Sequence, residues 1–431
     1  QYKEVCFFST LMLPFLKQVE PMPELFTVLT PEEAYHRLEP YLSPLGKIEK
    51  VTTKEALDRV LAENIFTPDD LPPFPRSAMD GYAVRAEDTH GASESLPAYL
   101  KVIGEVTMGS IAEMALSPGE AALVHTGSIL PTGTNAVVML ENTHKIDVST
   151  IGVVRPVAAG ENVLQIGEDI PQGILLLPRG HRLRSQDIGG LLALGITEVT
   201  VSQKVQVALI STGDELVSPE DKPKPGQVRN INAYTLANLT LKAGGIPLLL
   251  GIVPDNYQAM KKAAERGMTE ADIIVISAGS SVSTSDLTAQ VINSLGKPGI
   301  LAHGIALKPG KPTILASVNG KPIFGLPGNP ASAMITFDLF VTPTIYKLSG
   351  CSKPPQRHRL KARLTSNIPS APGREDYVPV RVKEKDGELW AEPIFGKSNL
   401  ISTLIKADGI AQVPLDKAGL AAGEMVTISI F

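Results

Sequence analysis

The sequence predicts a multidomain α/β-plus-β protein: a parallel-sheet α/β core over 204–350, an inserted β-module over 67–166 and a C-terminal β-domain over 351–431. Three observations carry this. Between Lys204 and Gly350, β-branched runs such as VQVALIST, IPLLLGIV, ADIIVISAG and PIFGLP alternate with amphipathic stretches, the pattern of a parallel sheet with helices on its faces. These runs end in Gly, Ser, Asp or Glu, and ligands of such sheets sit outside the carboxyl ends of the strands. On either side of the core, short β-like runs punctuated by Gly and Pro replace the helical pattern.

The elements follow in chain order. Thr30-Pro31-Glu32-Glu33 reads as an N-cap, a Pro at the first helical position and acids in the first turn, so a helix to about Leu42 is expected. A second helix, Thr53 to Leu61, is expected from a capping-box pattern. Pro-dense TPDDLPPFPRSAMDGYAV (67–84) reads as a stiff extended arm, because Pro drives the residues before it to extended backbone. AYLKVIGEV, EAALVHTG, NAVVML and GVVRPV then form the β-module. LLLPRGHRLRSQDIGGLLALGI (175–196) offers a helix with Ser185 as N-cap. It is expected to pack with the N-terminal helices, so that 22–66 and 167–203 form one discontinuous domain.

At 431 residues the chain exceeds one ordinary core. Its 43% hydrophobic and 20% charged content fit a globular protein. A net charge of −5 supplies no basic field for nucleic acid, and 5% aromatics argue against base stacking. Cys6 and Cys351 lack metal-ligand spacing and point to a reducing, cytoplasmic compartment. No stretch reaches the ~20 apolar residues of a transmembrane helix. Residues 1–21, with apolar CFFSTLMLPFL, read as a non-native leader in preference to a signal peptide; Met22 opens more ordinary sequence.

Several patterns carry chemistry. Lys308-Pro309-Gly310-Lys311 sets two cations around a turn whose amides can face phosphate; a solvated loop is the competing reading. Gly325-Leu326-Pro327-Gly328-Asn329-Pro330 joins a strand to a helix start that favours an anion. Asp214-Glu215, Asp255 and Asp286 each follow a strand. Singly each reads as a cap or turn residue; together they repel unless a divalent cation such as Mg²⁺ is shared. The Ser277–Ser285 loop, with Gly279, Ser281 and Ser283, can cradle phosphate but lacks the Gly-Lys-Ser/Thr end of a P-loop. The seven His form no ligand cluster and no Gly-x-Ser-x-Gly elbow occurs, which argues against a zinc enzyme or a hydrolase triad. The ligand expected from these residues is anionic, phosphate-bearing and held through a metal.

SAMDGYAV, HTG…P…AVVM, GEDI…G, STGDEL, SAGSSVSTSD, KPGKP and GLPGNP occur in one order from Ser77 to Pro330. This set resembles the molybdopterin molybdenumtransferase family, MoeA and the E domain of gephyrin, over nearly the whole chain from Met22. The resemblance implies a core similar to the molybdopterin adenylyltransferase domain. It implies a homodimer with an active site between subunits, and insertion of molybdate into adenylylated molybdopterin with Mg²⁺-dependent release of AMP. A separate molybdopterin adenylyltransferase is the implied partner. By matching position, Asp80, Thr126, Asp169, Glu215, Asp255, Asp286, Lys308, Pro327 and Pro330 correspond to family functional residues, as does Ser402 in the C-terminal part. The implied roles place Asp255 and Asp286 on Mg²⁺, Lys308 and the 279–285 loop on pyrophosphate, and Glu215 and Asp169 at the molybdate end from opposite subunits. The family's Gly-Gly-Val-Ser-Val-Gly loop is Ala278-Gly279-Ser280-Ser281-Val282-Ser283 here, and a family Lys is Gly304, beside His303. Two other functions remain open: a molybdopterin adenylyltransferase, and a non-enzymatic molybdopterin-binding scaffold. Tungstate in place of molybdate also stays open.

Overall fold

The computed structural model describes residues 28–279 and 282–431, with the side chains of 282–285 outside the description. The expected leader, Ser281 and the side chain of Ser283 therefore lie outside the described residues. The described chain divides into two units, one of 28–42, 205–345 and 356–431, the other of 43–204 and 346–355.

In the first unit, a six-stranded sheet runs in the order Ile246–Val253, Gln206–Thr212, Ile273–Ala278, Lys321–Pro327, Ile314–Val318, Pro298–His303. The first four strands are parallel. Every residue of Ile273–Ala278 is buried, as a strand covered on both faces requires. Helices Tyr257–Glu270 and Val282–Ser294 cover one face, where Met260, Ala264, Val291 and Ile292 meet Ala208, Ile210, Ile274 and Ile276. Helix Asn232–Lys242 packs with helix Pro330–Thr336 and with strand Gln206–Thr212.

The sheet is mixed rather than wholly parallel. Lys321–Pro327 and Ile314–Val318 pair antiparallel, as do Ile314–Val318 and Pro298–His303. The reason is Asn319-Gly320, whose φ values of 51° and 79° make a two-residue turn. Both central residues are left-handed, which matches the twist of an antiparallel hairpin. Asp386-Gly387, at 54° and 77°, does the same in the C-terminal part. There Glu375–Lys385, Glu388–Pro393, Arg359–Leu364, Met425–Ile430 and Gly409–Val413 close into a ring, because Glu375–Lys385 also pairs with Gly409–Val413. Its interior holds Ala362, Leu364, Val380, Ala391, Ala411 and Ile428. Leu307–Lys308 adds to this barrel in parallel register with Glu375 and Asp376.

Helix Pro31–Leu38 starts as expected. Thr30 Oγ1 accepts from the Glu33 amide at 3.1 Å, and Glu33 Oε2 accepts from the Thr30 amide at 2.8 Å. A 3₁₀ turn, Glu39–Tyr41, extends it. The helix packs on strands Pro298–His303 and Ile314–Val318.

In the second unit, six strands form the β-module sheet in the order Ala136–Met139, Gly81–Val84, Glu120–Val124, Ala98–Val106, Thr150–Val153, Thr143–Lys145. Gly81 is needed at its centre: a Cβ there would lie 2.1 Å from the Val138 carbonyl oxygen. Two helical expectations fail in this unit. Thr53 to Leu61 is not a helix beyond the 3₁₀ turn Thr53–Glu55. Its polar groups are taken elsewhere: Thr53 Oγ1 donates to the Ile196 carbonyl at 2.7 Å, and the Asp58 and Leu61 amides donate to Leu183 and His181. Asp58, at φ 64°, also breaks helical backbone. Residues 175–196 do not form one helix either. Leu175–Leu177 is a strand paired with Ile65–Phe66, and the helix runs only from Ser185 to Ala193. Arg184, not Ser185, is its N-cap, and its amide donates to Asp187 Oδ2 at 2.8 Å.

Asp187 is buried and holds this corner together. It accepts from Arg184 Nε and Nη2, each at 2.9 Å, and lies 2.7 Å from His181 Nε2. Burial opposes its charge, but the Arg184 and His181 hydrogen bonds outweigh it and hold the carboxyl well below the usual range. Asp187→Asn is expected to destabilise the protein by about 1–3 kcal/mol, the cost of unpairing buried charged partners. Because the folded-state pKa is depressed, this contribution is present above the ordinary Asp value of about 3.9 and is lost as pH falls below it. Urea unfolding of both proteins at pH 7 and near pH 3 checks this: the gap should shrink at the lower pH.

Candidate functional site

In the first unit the candidate residues gather at the carboxyl edge of the parallel strands. Strand Gln206–Thr212 runs into Gly213, where a Cβ would meet the Glu215 carboxylate at 2.7 Å. Strand Ile246–Val253 leads to Asp255, whose amide donates to Asp214 Oδ1 at 3.2 Å. Asp255 Oδ1 and Thr212 Oγ1 are buried, and neither makes a hydrogen bond of ordinary geometry. Burial pushes the Asp255 carboxyl up, the facing Thr212 hydroxyl opposes this, and the charges of Asp214 and Glu215 add to the rise.

Asp286 is exposed on helix Val282–Ser294, and its charge acts on His303. Burial pushes the His303 imidazole down and Asp286 opposes that shift. The four acids thus divide, Asp255 with Asp214 and Glu215, and Asp286 with His303. Among the described residues, no three His, Cys, Asp or Glu side chains are arranged to hold a metal ion.

The Pro327-Gly328-Asn329-Pro330 loop is tied down by side chains. Asn232 Nδ2 donates to the Gly328 carbonyl at 2.7 Å and to Ser277 Oγ at 3.1 Å. A Cβ at Gly328 would lie 2.8 Å from the Ala278 carbonyl oxygen, so only glycine lets this loop meet the neighbouring strand end beside Gly279. The helix start read as an anion site is partly used within the protein. The Ala331 amide donates to the Ser398 carbonyl at 3.2 Å, and Asn329 Nδ2 donates to Ser398 Oγ at 3.0 Å.

Between this loop and the C-terminal barrel lies a cleft of about 1100 Å³. Lys308, Lys311, Arg374 and Lys397 line it with Asn329 and Ser398, against Ile368, Ile394 and Phe395. Arg374 Nε donates to Asp376 Oδ1 at 2.8 Å, and Lys308 Nζ lies 3.7 Å from Asp376 Oδ2. Four cations around one concavity suit an oxyanion or phosphate. Sequence reasoning found Lys308 and Lys311 but missed Arg374, Asp376, Lys397 and Ser398. The available signal was the charged run Arg374-Glu375-Asp376 just after the Pro372-Gly373 turn. Ser402 is exposed on helix Ile401–Ile405 and does not line the cleft; Ser398 does.

In the second unit, Asp80 Oδ1 accepts from the Thr126 amide at 2.7 Å and from Thr126 Oγ1 at 3.0 Å. These two bonds lower the Asp80 carboxyl pKa. Strand pairing brings the two residues together: Gly81, next to Asp80, lies opposite Val124. His125 Nε2 is 2.7 Å from Glu105 Oε1. Asp169 is exposed in a turn whose amide donates to the Leu71 carbonyl at 3.1 Å.

Fold and cleft together define an α/β protein with a β-barrel appended to its core and a cleft lined by four cations. Residues 29–195 match the MoeA N-terminal region (domain I and II), 208–347 a probable molybdopterin binding domain, and 361–431 the MoeA C-terminal region (domain IV). The chain belongs to the MoeA family. It is 35% identical to a putative molybdopterin biosynthesis protein of Methanocaldococcus jannaschii, over 91% of this chain and 95% of that protein. It is 33% identical to a molybdopterin molybdenumtransferase of a Nostoc species, over 96% and 95%. The crystal structure of a molybdopterin biosynthesis MoeA protein from Pyrococcus horikoshii OT3 superposes with a TM-score of 0.82 at 35% identity, covering 94% of this chain and all of that one.

The electrostatics of Asp255 give a test. Its raised folded-state pKa means that the charged form costs stability above that pKa, while no cost remains below the ordinary value of about 3.9. Asp255→Asn removes the charge at nearly constant shape. Its melting temperature at pH 8 is expected to exceed wild type by roughly 1–3 °C, with the gap closing near pH 4. Differential scanning calorimetry at the two pH values measures it; a lower melting temperature at pH 8 contradicts the assignment.

Proposed function

We propose that this chain is a molybdopterin molybdenumtransferase of molybdenum cofactor biosynthesis, inserting molybdate into adenylylated molybdopterin with release of AMP. The observation that carries the reading is the four-cation cleft, in a chain matching relatives of that name along nearly their full length. Both substrates are anions, and the apolar wall of Ile368, Ile394 and Phe395 offers a surface for a pterin.

The residues present fit Mg²⁺. Asp255 Oδ1 is a buried carboxylate oxygen without a hydrogen bond of ordinary geometry, and two further acids press on it. Mg²⁺ takes one or two carboxylates and keeps several waters, which suits a site where the described residues form no three-acid cage. Asp255, beside Asp214 and Glu215, would hold it, with Asp286 assigned to it by the family resemblance alone; when bound it would supply charge neutralisation for the phosphates. Lys308 and Lys311 attract the phosphate-bearing substrate and Arg374 presents a planar donor face to an oxyanion. Glu215 bears on Asp255 electrostatically. Asp80, held by Thr126, presents a fixed carboxylate in the β-module. The homodimer implied by the family resemblance is tested by sedimentation of the purified chain. No described helix is long and apolar enough to cross a membrane.

Purified protein mixed with adenylylated molybdopterin, molybdate and Mg²⁺ should release AMP only when molybdate is present. Formation of adenylylated pterin from ATP and molybdopterin would instead make the chain an adenylyltransferase. Asp286→Ala should cut Mg²⁺-dependent turnover by roughly 100-fold with an unchanged melting temperature; full activity removes Asp286 from the site. Lys311→Ala should raise KM for the adenylylated substrate roughly tenfold with a smaller change in kcat, as loss of a ground-state phosphate contact does.

A further inference from the structure

We infer that Asp376 is a positioning residue of the cation cleft, a buried carboxylate that fixes Arg374 and Lys308 in place for turnover and weakens anion affinity in doing so. The inference rests on the reading of that cleft as the meeting place of an oxyanion and a phosphate-bearing substrate. Asp376 is 2% exposed. Its Oδ1 accepts from Arg374 Nε at 2.8 Å, and its Oδ2 faces Arg374 Nη2 at 3.4 Å and Lys308 Nζ at 3.7 Å. The two cations come from different elements: Lys308 from the short strand Leu307–Lys308, and Arg374 from the turn before strand Glu375–Lys385. Parallel register sets Lys308 opposite Asp376.

A tie between core and barrel does not require this carboxylate. The backbone provides one, through the Leu307–Lys308 pairing and the Glu375 amide, which donates to the Ala306 carbonyl at 2.9 Å. Nor does anion affinity call for it, since a negative charge among four cations lowers the attraction for any anion. The neighbouring acid, Glu375, is turned to Tyr377 and Gln412, whose groups donate to its Oε2. One acid of the adjacent pair is thus held apart from the cations and the other is buried against them. The Lys308 side chain is 60% exposed and that of Arg374 38%. Without an anchor both would sample many rotamers, and donors fixed in advance are worth more at a transition state than mobile ones. Binding given up for orientation lowers ground-state affinity and raises kcat.

Asp376→Asn keeps the shape, removes the charge and breaks the fork. AMP release would be measured beside calorimetric binding of inorganic pyrophosphate as the anion probe. The expected result is a split: kcat falls roughly tenfold or more, while the pyrophosphate dissociation constant stays within about threefold of wild type or decreases. Unchanged kcat, or binding and kcat lost together, overturns the inference in favour of a merely structural carboxylate. Should the variant fail to fold, the wild type decides. The Arg374 Nε–H proton, assigned by its loss in Arg374→Lys, should exchange slowly and resist added salt; rapid exchange overturns the anchor. This measurement needs no turnover. A wild type that releases no AMP but protects that proton therefore overturns the proposed reaction and leaves the anchor standing.

Discussion

Strand Ile273–Ala278 is buried on every residue, and that constraint organises the core of the first unit. A strand with no wet face must be covered on both sides, and here its two neighbours pair with it in parallel, so each connection crosses over the sheet. Loops carrying polar side chains are then confined to the sheet edges. Asp214, Glu215, Asp255 and the Gly328 loop all follow strand ends for this reason. Asn232 secures the arrangement by joining Ser277 and Gly328, the ends of two adjacent strands.

A second constraint sets the chemistry. The cleft needs cations from two elements at once, and neighbouring cations repel. Asp376 relieves that repulsion on one side, where Lys308 and Arg374 converge. On the acidic side the Thr212 hydroxyl opposes the shift of Asp255 but does not overcome it. Asp255 sits half-buried beside two like charges, with its Oδ1 outside any hydrogen bond of ordinary geometry. The cleft thus carries paired cations, and the strand ends carry clustered acids.

Much of this was legible in the chain. The β-branched runs with polar ends gave the core strands and the edge on which the acids sit. The Thr30–Glu33 cap formed as read, because both partners lie within one turn and nothing competes for them. The helix expected at Thr53 did not form, because distant carbonyls at Ile196, His181 and Leu183 claimed its donors. Asn319-Gly320 was a local signal of the antiparallel hairpin, and it outweighed the parallel pattern of the runs around it.

By itself the sequence determined the family, the layered α/β class of the core and the residue types of the site, since these depend on periodicity, capping and motif order along the chain. Tertiary structure alone decided which of those residues act together. It set Lys308 against Asp376, Asn329 against Ser398, and Asp80 under Thr126, through strand registers and close approaches spanning tens of residues. Charge and burial at such meetings depend on what packs around each group, and no local stretch of sequence encodes that.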